Sequence, residues 1–165
     1  MPSAAATADY AFVREVANSL LDRLNEPQTL AAIHRANQPG TSSAEVQAAF
    51  APAARALGFS SEKTGLFEGS IPGLRPDYFQ RVGETGIILE VERGKTTTNN
   101  MDLLDFWKCH LCSHAHYLFL LVPRELRHNP TMSPKREFAS VQRRLSQFFV
   151  DGNYTNVWAL HLYGY

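Results

Sequence analysis

Residues 75–95 read RPDYFQRVGETGIILEVERGK, two short apolar stretches around a glycine-marked turn, with acidic residues at their ends. Side chains alternate between faces along a strand, so Ile88, Glu90 and Glu92 share one side of the second stretch and Ile87, Leu89 and Val91 the other. Two carboxylates therefore point the same way. Leu74 to Val82 reads as the preceding strand, and Val82-Gly83-Glu84-Thr85-Gly86 supplies the glycines of a tight hairpin. Such a hairpin brings Asp77 beside Glu90.

Around that stretch lies a chain of 165 residues, 44% apolar and 11% aromatic, enough to bury the core of a single domain and too apolar to be disordered throughout. Lys plus Arg and Asp plus Glu number 16 each, so net charge does not advertise nucleic acid, although charge can still be segregated between faces. The only cysteines, Cys109 and Cys112, sit three apart in an expected helix. That argues against a disulfide framework and suits a reducing cytosol, and a cytoplasmic location is the expectation. No stretch is long and apolar enough to cross a membrane. The N-terminal MPSAAATAD lacks the features of a signal peptide and reads as a frayed tail.

Tyr10 to Leu24 places Phe12, Val13, Val16, Leu20, Leu21 and Leu24 at helical spacing. Asn25-Glu26-Pro27 interrupts it, a short helical piece follows over Gln28 to Ala36, and Gln38-Pro39-Gly40 turns the chain. Ser42 and Glu45 form a capping box for an alanine-rich helix that Pro52 is expected to bend or interrupt and Gly58 to end. Phe59 to Glu92 reads as an antiparallel meander punctuated by Gly65, Gly69 and Gly73. Asp102 to His114 reads as a helix burying Leu103, Leu104, Trp107, Leu111 and Cys112. His116 to Val122 is a strand covered on both faces, Arg136 to Val150 a helix, and Val157 to Tyr163 a last strand. The order predicts an α/β sandwich around one mixed sheet flanked by helices, with the helix after Asn100 as crossover. It is one domain: a helical extension over residues 1–40, a core over 42–122, and a closing helix and strand over 123–165.

Three carboxylates at one strand edge repel one another unless a cation neutralises them or their pKa values rise. A hard divalent ion such as Mg²⁺ takes oxygen ligands, and Asp77, Glu90 and the Leu89 or Val91 carbonyl stand where such ligands are wanted. That is the chemistry of phosphodiester hydrolysis. Lys95, Thr96, Thr97, Thr98, Asn99 and Asn100 form a donor-rich loop into a helix N-terminus, read either as a phosphate site or as a polar loop with Asn100 as N-cap. Arg75, and the basic residues Arg124, Arg127, Lys135, Arg136, Arg143 and Arg144, read as DNA-backbone contacts or as solvated surface. The aromatics Tyr154, Trp158, Tyr163 and Tyr165 fit either a core or a dimer contact. Cys109, His110, Cys112, His114 and His116 offer a competing zinc reading through His110 and His114 on one helical face.

Pro76-Asp77, the hairpin and Glu90-Val91-Glu92 resemble the active-site motif of the PD-(D/E)XK superfamily of restriction-endonuclease-like nucleases. The resemblance spans Ser42 to Val122 and implies an αβββαβ core. It implies a Mg²⁺-dependent DNA endonuclease, with Mn²⁺ able to substitute, working as a homodimer. Asp77, Glu90 and Glu92 are the implied metal ligands, and these three with Lys95 the catalytic set. Arg75, Arg93, Lys95, Thr96, Asn99, Asn100 and Lys108 are the expected nucleic-acid contacts. Glu92 stands where the pattern usually has lysine, as in the E-x-E variant of BamHI-type enzymes, and Lys95 or Lys108 is the candidate for a displaced lysine. Two alternatives stand beside this: a catalytically silent nuclease-like domain that binds nucleic acid or a protein, and a zinc-binding structural module.

Overall fold

The computed structural model describes residues 4–61, 75–127 and 129–165, with side chains from residue 8 onward. Gly65, Gly69, Gly73 and Leu74 lie outside the described residues, so of the expected meander only its two ends are seen.

Helix α1 runs Ala4–Leu24 and α2 Pro27–Ala36, the latter opened by proline at its first turn, where the missing N–H costs nothing. The expected frayed tail is thus partly helix, since the alanines ahead of Tyr10 are strong helix formers and continue the pattern. Val13, Val16, Ala17, Leu20 and Leu24 are buried, whereas Phe12 and Leu21 remain 43% and 50% exposed. Helix α3, Ser43–Ala56, opens on the capping box, with the Ser42 backbone N–H donating to Glu45 Oε2 at 2.6 Å. Pro52 does not interrupt it. Flanking alanines and the burial of Phe50, Ala53 and Ala54 carry the helix across the lost hydrogen bond. Gly58, at φ 87°, turns the chain out of the helix.

One five-stranded sheet follows in the spatial order β1 Ser60–Ser61, β2 Tyr78–Val82, β3 Thr85–Val91, β4 Tyr117–Val122 and β5 Ala159–Gly164. The first three are antiparallel neighbours and the last three parallel, so the sheet is mixed. Val82 pairs with Thr85 across the two-residue turn Gly83-Glu84, where Gly83 takes φ 54°. Parallel pairing requires crossovers: α4, Met101–Leu111, joins β3 to β4, and α5, Glu137–Leu145, joins β4 to β5. Helix α5 is shorter than the expected Arg136 to Val150, because Ser146–Phe149 tightens into a 3-10 turn.

The two faces of the sheet have separate cores. Ile87, Leu89, Val91, Tyr117, Phe119 and Leu121 pack under α1, α2 and α3, and Ile88, Leu118, Leu120 and Val122 pack under α4 and α5. Glu90 belongs by alternation to the second face.

Helix α4 is turned differently from expectation. Asp102, Asp105, Phe106 and Cys109 face inward, while Leu104, Trp107 and Leu111 stay 41%, 46% and 48% exposed. The buried set has its own helical spacing. Phe106 stacks on Phe148 at 4.2 Å, and the two aspartates find cations, so polar partners outweigh the larger apolar stripe. The helix also ends at Leu111 rather than His114, with Cys112 already extended, so His110 and His114 do not share a helical face.

Candidate carboxylate cleft at the end of β3

The pairing of Tyr78 with Leu89 sets Asp77 across from Glu90. The two are tied through the backbone: the Val91 N–H donates to Asp77 Oδ2 at 2.9 Å, and the Asp77 N–H donates to Glu90 Oε2 at 3.0 Å. From α3, Gln47 Nε2 donates to both Asp77 oxygens at 3.1 Å. From α4, Lys108 Nζ donates to Glu90 Oε1 and to Asp105 Oδ1, each at 2.9 Å. Glu92, one alternation beyond Glu90, lies within hydrogen-bonding reach of the Asp105 carboxylate. Tyr165 Oη, at the end of the sheet, donates to the Glu92 carbonyl at 2.6 Å and fixes the strand exit.

Glu90, Asp105 and Glu92 thus gather about one ammonium, Lys108. Glu90 and Asp105 are buried, and Asp105 Oδ2 has no hydrogen-bond partner. Burial, followed by the Asp105 charge, holds the Glu90 carboxyl well above its ordinary range. Burial and the same neighbour push Glu92 up to about 8. Asp105 is raised by burial against the opposing pull of Lys108. For Lys108 burial works against the charge, but Glu90 and Asp105 outweigh it and hold the ammonium protonated.

The cluster opens into a cleft of about 550 Å³ lined by Gln47, Asp77, Glu90, Glu92, Lys95, Asn99 and Lys108 among others. A larger groove of about 740 Å³ lies between α1, α2 and β5, and no buried carboxylate lines it.

Sequence-predicted contacts fall at different depths. Arg75 is exposed beside the Asp77 strand entry, and Lys95 and Asn99 are exposed on the cleft rim. Arg93 lines the cleft, but its guanidinium donates to the Gln38 and Thr41 carbonyls and to Asn37 Oδ1, tying β3 to the turn before α3. Thr96 is buried, and its carbonyl accepts from the Met101 N–H at 2.8 Å. Asn100 takes the N-cap position of α4 at φ 56°, yet its side chain does not cap; Oδ1 accepts from Arg144 at 2.6 Å. Sequence reading missed Gln47, a polar residue beside an apolar helix stripe, and Asp105, which lies in no local motif.

The histidines and cysteines disperse. His110 Nδ1 meets Thr155 Oγ1 at 3.1 Å, His114 sits edge-on to Phe79, and His116 Nδ1 meets Thr85 Oγ1 at 2.6 Å. Cys109 is buried against the Ala115 carbonyl, and burial raises its thiol pKa. Of the C-terminal aromatics, Tyr163 is core, donating to the Ala17 carbonyl at 3.1 Å, while Tyr154 is exposed.

Among the described residues, no three His, Cys, Asp or Glu side chains form a group that holds a metal ion as they stand. A hydrated Mg²⁺ needs only one or two carboxylates and keeps waters for the rest. Asp77 with Glu90 meets that smaller demand. No protein-family model matches the chain, and no curated protein or solved structure matches it.

Proposed function

We propose that the chain is a Mg²⁺-dependent DNA endonuclease with a restriction-endonuclease-like core. The observation that carries the reading is the convergence of Asp77, Glu90, Glu92 and Asp105 with Lys108 at the open end of β3. The order α3, β1, β2, β3, α4, β4, with β4 parallel to β3, follows the αβββαβ order of that superfamily and supports the same reading.

Asp77 and Glu90 would hold the ion, which supplies Lewis acidity toward a phosphate and lowers the pKa of bound water. The backbone N–H donors of Val91 and Asp77, together with Gln47, fix both carboxylates before any substrate arrives. Lys108, reaching in from α4, sets a permanent positive charge where the lysine of the usual motif is missing from the strand. Glu92, pushed up to about 8 by burial and the neighbouring Asp105, would accept a proton from attacking water once an entering cation has displaced its own. Lys95 on the rim and Arg75 beside the strand entry offer charge to the DNA backbone. A second copy of the chain supplies the site for the opposite strand.

The silent-domain alternative has one observation in its favour: Lys108 is already satisfied by two carboxylates. Incubating purified protein with supercoiled plasmid and Mg²⁺ or Mn²⁺ separates the two. Nicking or cutting is expected, reduced on the order of a thousandfold or more in Asp77→Ala and Glu90→Ala. Cleavage that survives both substitutions breaks the site assignment, and no cleavage by wild type favours the silent domain.

A further inference from the structure

The chain is neutral as a whole, with 16 basic and 16 acidic residues, but its charge is unevenly spread. Residues 124–144 hold six arginines and lysines against two glutamates, so the remainder of the chain is net acidic. Of those glutamates, Glu137 is buried and held by Thr97 and Lys135, which leaves Glu125 as the exposed acid of the segment. Three of the cations are spent inside the protein: Arg124 donates to the Gly164 carbonyl, Lys135 to the Thr97 and Thr98 hydroxyls, and Arg144 to the Thr97 carbonyl. The side chains of Arg127, Arg136 and Arg143 are exposed and enter no hydrogen bond or ion pair among the described residues. Elsewhere free arginine has acid beside it: Arg14 and Arg23 of α1 are interleaved with Glu15, Asp22 and Glu26, the pattern of an ordinary solvated face.

The basic segment lies at the end of the sheet where the cleft opens. Strands β3 and β4 are parallel, so the chain leaves β4 at the end that carries Glu90 and Glu92. It doubles back through the Leu126–Lys135 bridge, closed by backbone hydrogen bonds of 2.9 Å in both directions, and enters α5. Lys135 and Arg144 fasten it to the loop whose Lys95 and Asn99 line the cleft. Positive charge therefore continues from the cleft rim onto the start of α5, with Arg143 about two turns beyond Arg136.

We propose that Arg127, Arg136 and Arg143 form a track for the backbone of duplex DNA, carrying it out of the cleft along α5. This rests on reading the cleft as a DNA phosphodiesterase site. Guanidiniums without a protein partner give up no contact on meeting phosphates, and each phosphate neutralised releases condensed counterions. Such contacts position a duplex without reading its sequence. The net acidic remainder of the surface steers the duplex toward this side.

Fluorescence anisotropy of a labelled duplex of arbitrary sequence, titrated with the protein in EDTA over a range of salt, tests the track without cleavage and without metal in the cleft. In the triple variant Arg127→Gln, Arg136→Gln, Arg143→Gln the salt slope of binding is expected to fall by about three, one for each phosphate contact, and affinity to weaken about tenfold or more on every sequence. Circular dichroism melts check that the variant is folded. The control triple Arg14→Gln, Arg55→Gln, Arg81→Gln removes the same charge from exposed arginines that do not line the cleft, and should keep the slope. An unchanged slope in the first variant, an equal loss in the control, or a wild type that binds no duplex overturns the track; plasmid cleavage lost in Asp77→Ala then decides the nuclease reading by itself. Slope loss in a protein that never cuts plasmid supports the track and removes the nuclease reading instead. Polyglutamate bound as tightly as duplex through the same three arginines overturns DNA as the occupant in favour of an acidic protein.

Discussion

Two groups of buried acid sit on the inner side of α4, about one turn apart, and they are balanced differently. Around Asp102 and Glu137, two carboxylates meet two cations: Arg144 Nε stands 3.4 Å from Asp102 Oδ2, and Lys135 Nζ 3.4 Å from Glu137 Oε1. Thr97 Oγ1 adds a hydrogen bond to Glu137 Oε2 at 2.7 Å, and Arg144 reaches the Thr97 carbonyl and Asn100. Neither Asp102 carboxylate oxygen has a side-chain hydrogen-bond partner there, but a guanidinium lies 3.4 Å from Oδ2. The group ties the 95–100 loop to α4 and α5. Around Asp105, the Glu90 and Asp105 carboxylates share one ammonium, with Glu92 beside them, and the group opens into a cleft. A balanced group fastens the fold, whereas an unbalanced one stores a demand for positive charge. The first explains a loop conformation, and the second is where the proposed ion would sit.

Breaking one cation in each group separates these roles. Lys108→Met is expected to lower plasmid cleavage on the order of a hundredfold or more, assayed well below its melting temperature, because a charge beside the reacting phosphate is lost. Arg144→Met is expected to leave cleavage within a few-fold of wild type. It should instead cost about 2 kcal/mol of stability or more by leaving Asp102 buried without its cation, a melting temperature lower by roughly 5 °C or more. If Arg144→Met lost cleavage without losing stability, the distinction between the groups would collapse.

A smaller effect sharpens the same contrast. Glu92 binds its proton up to about pH 8 in the folded chain, against an ordinary value of 4.5. Between those values the native state holds a proton that the unfolded chain has released, so metal-free stability falls as pH rises through the window. Glu90 and Asp105 are shifted in the same direction. A melting temperature a few degrees lower at pH 8 than at pH 5 is expected, with saturating Mg²⁺ recovering the difference. Glu92→Gln should flatten the slope; an unchanged slope would locate the shifted protons elsewhere.

The β3 strand could be read from sequence because period-two alternation and a glycine turn are local signals. They put Glu90 and Glu92 on one face and Asp77 opposite Glu90, as the Tyr78–Leu89 register has it. Helix α4 could not be read the same way. Its larger apolar stripe, Leu104, Trp107 and Leu111, pointed to one face, and the buried face is set by Phe106, Cys109 and two aspartates, Asp105 paired with Lys108 of the same helix and Asp102 with Arg144 of α5. Asp105 was hidden for that reason: a carboxylate that the helix pattern assigns to solvent becomes buried only when Lys108 and Glu90 are brought to it. Gln47 was hidden likewise, since nothing near it in sequence foretells Asp77, thirty residues on. Pro52 misled in the other direction, because packing of Phe50 and Ala54 outweighs a local helix breaker.

The proposed role of the cleft is to hold a divalent cation against Asp77 and Glu90. An anomalous difference map from crystals of the protein soaked in Mn²⁺, at a concentration that supports plasmid cleavage, tests it most directly. The account predicts a peak in the cleft in contact with both carboxylates. A map with no peak there, or with manganese bound only away from Asp77 and Glu90, contradicts it.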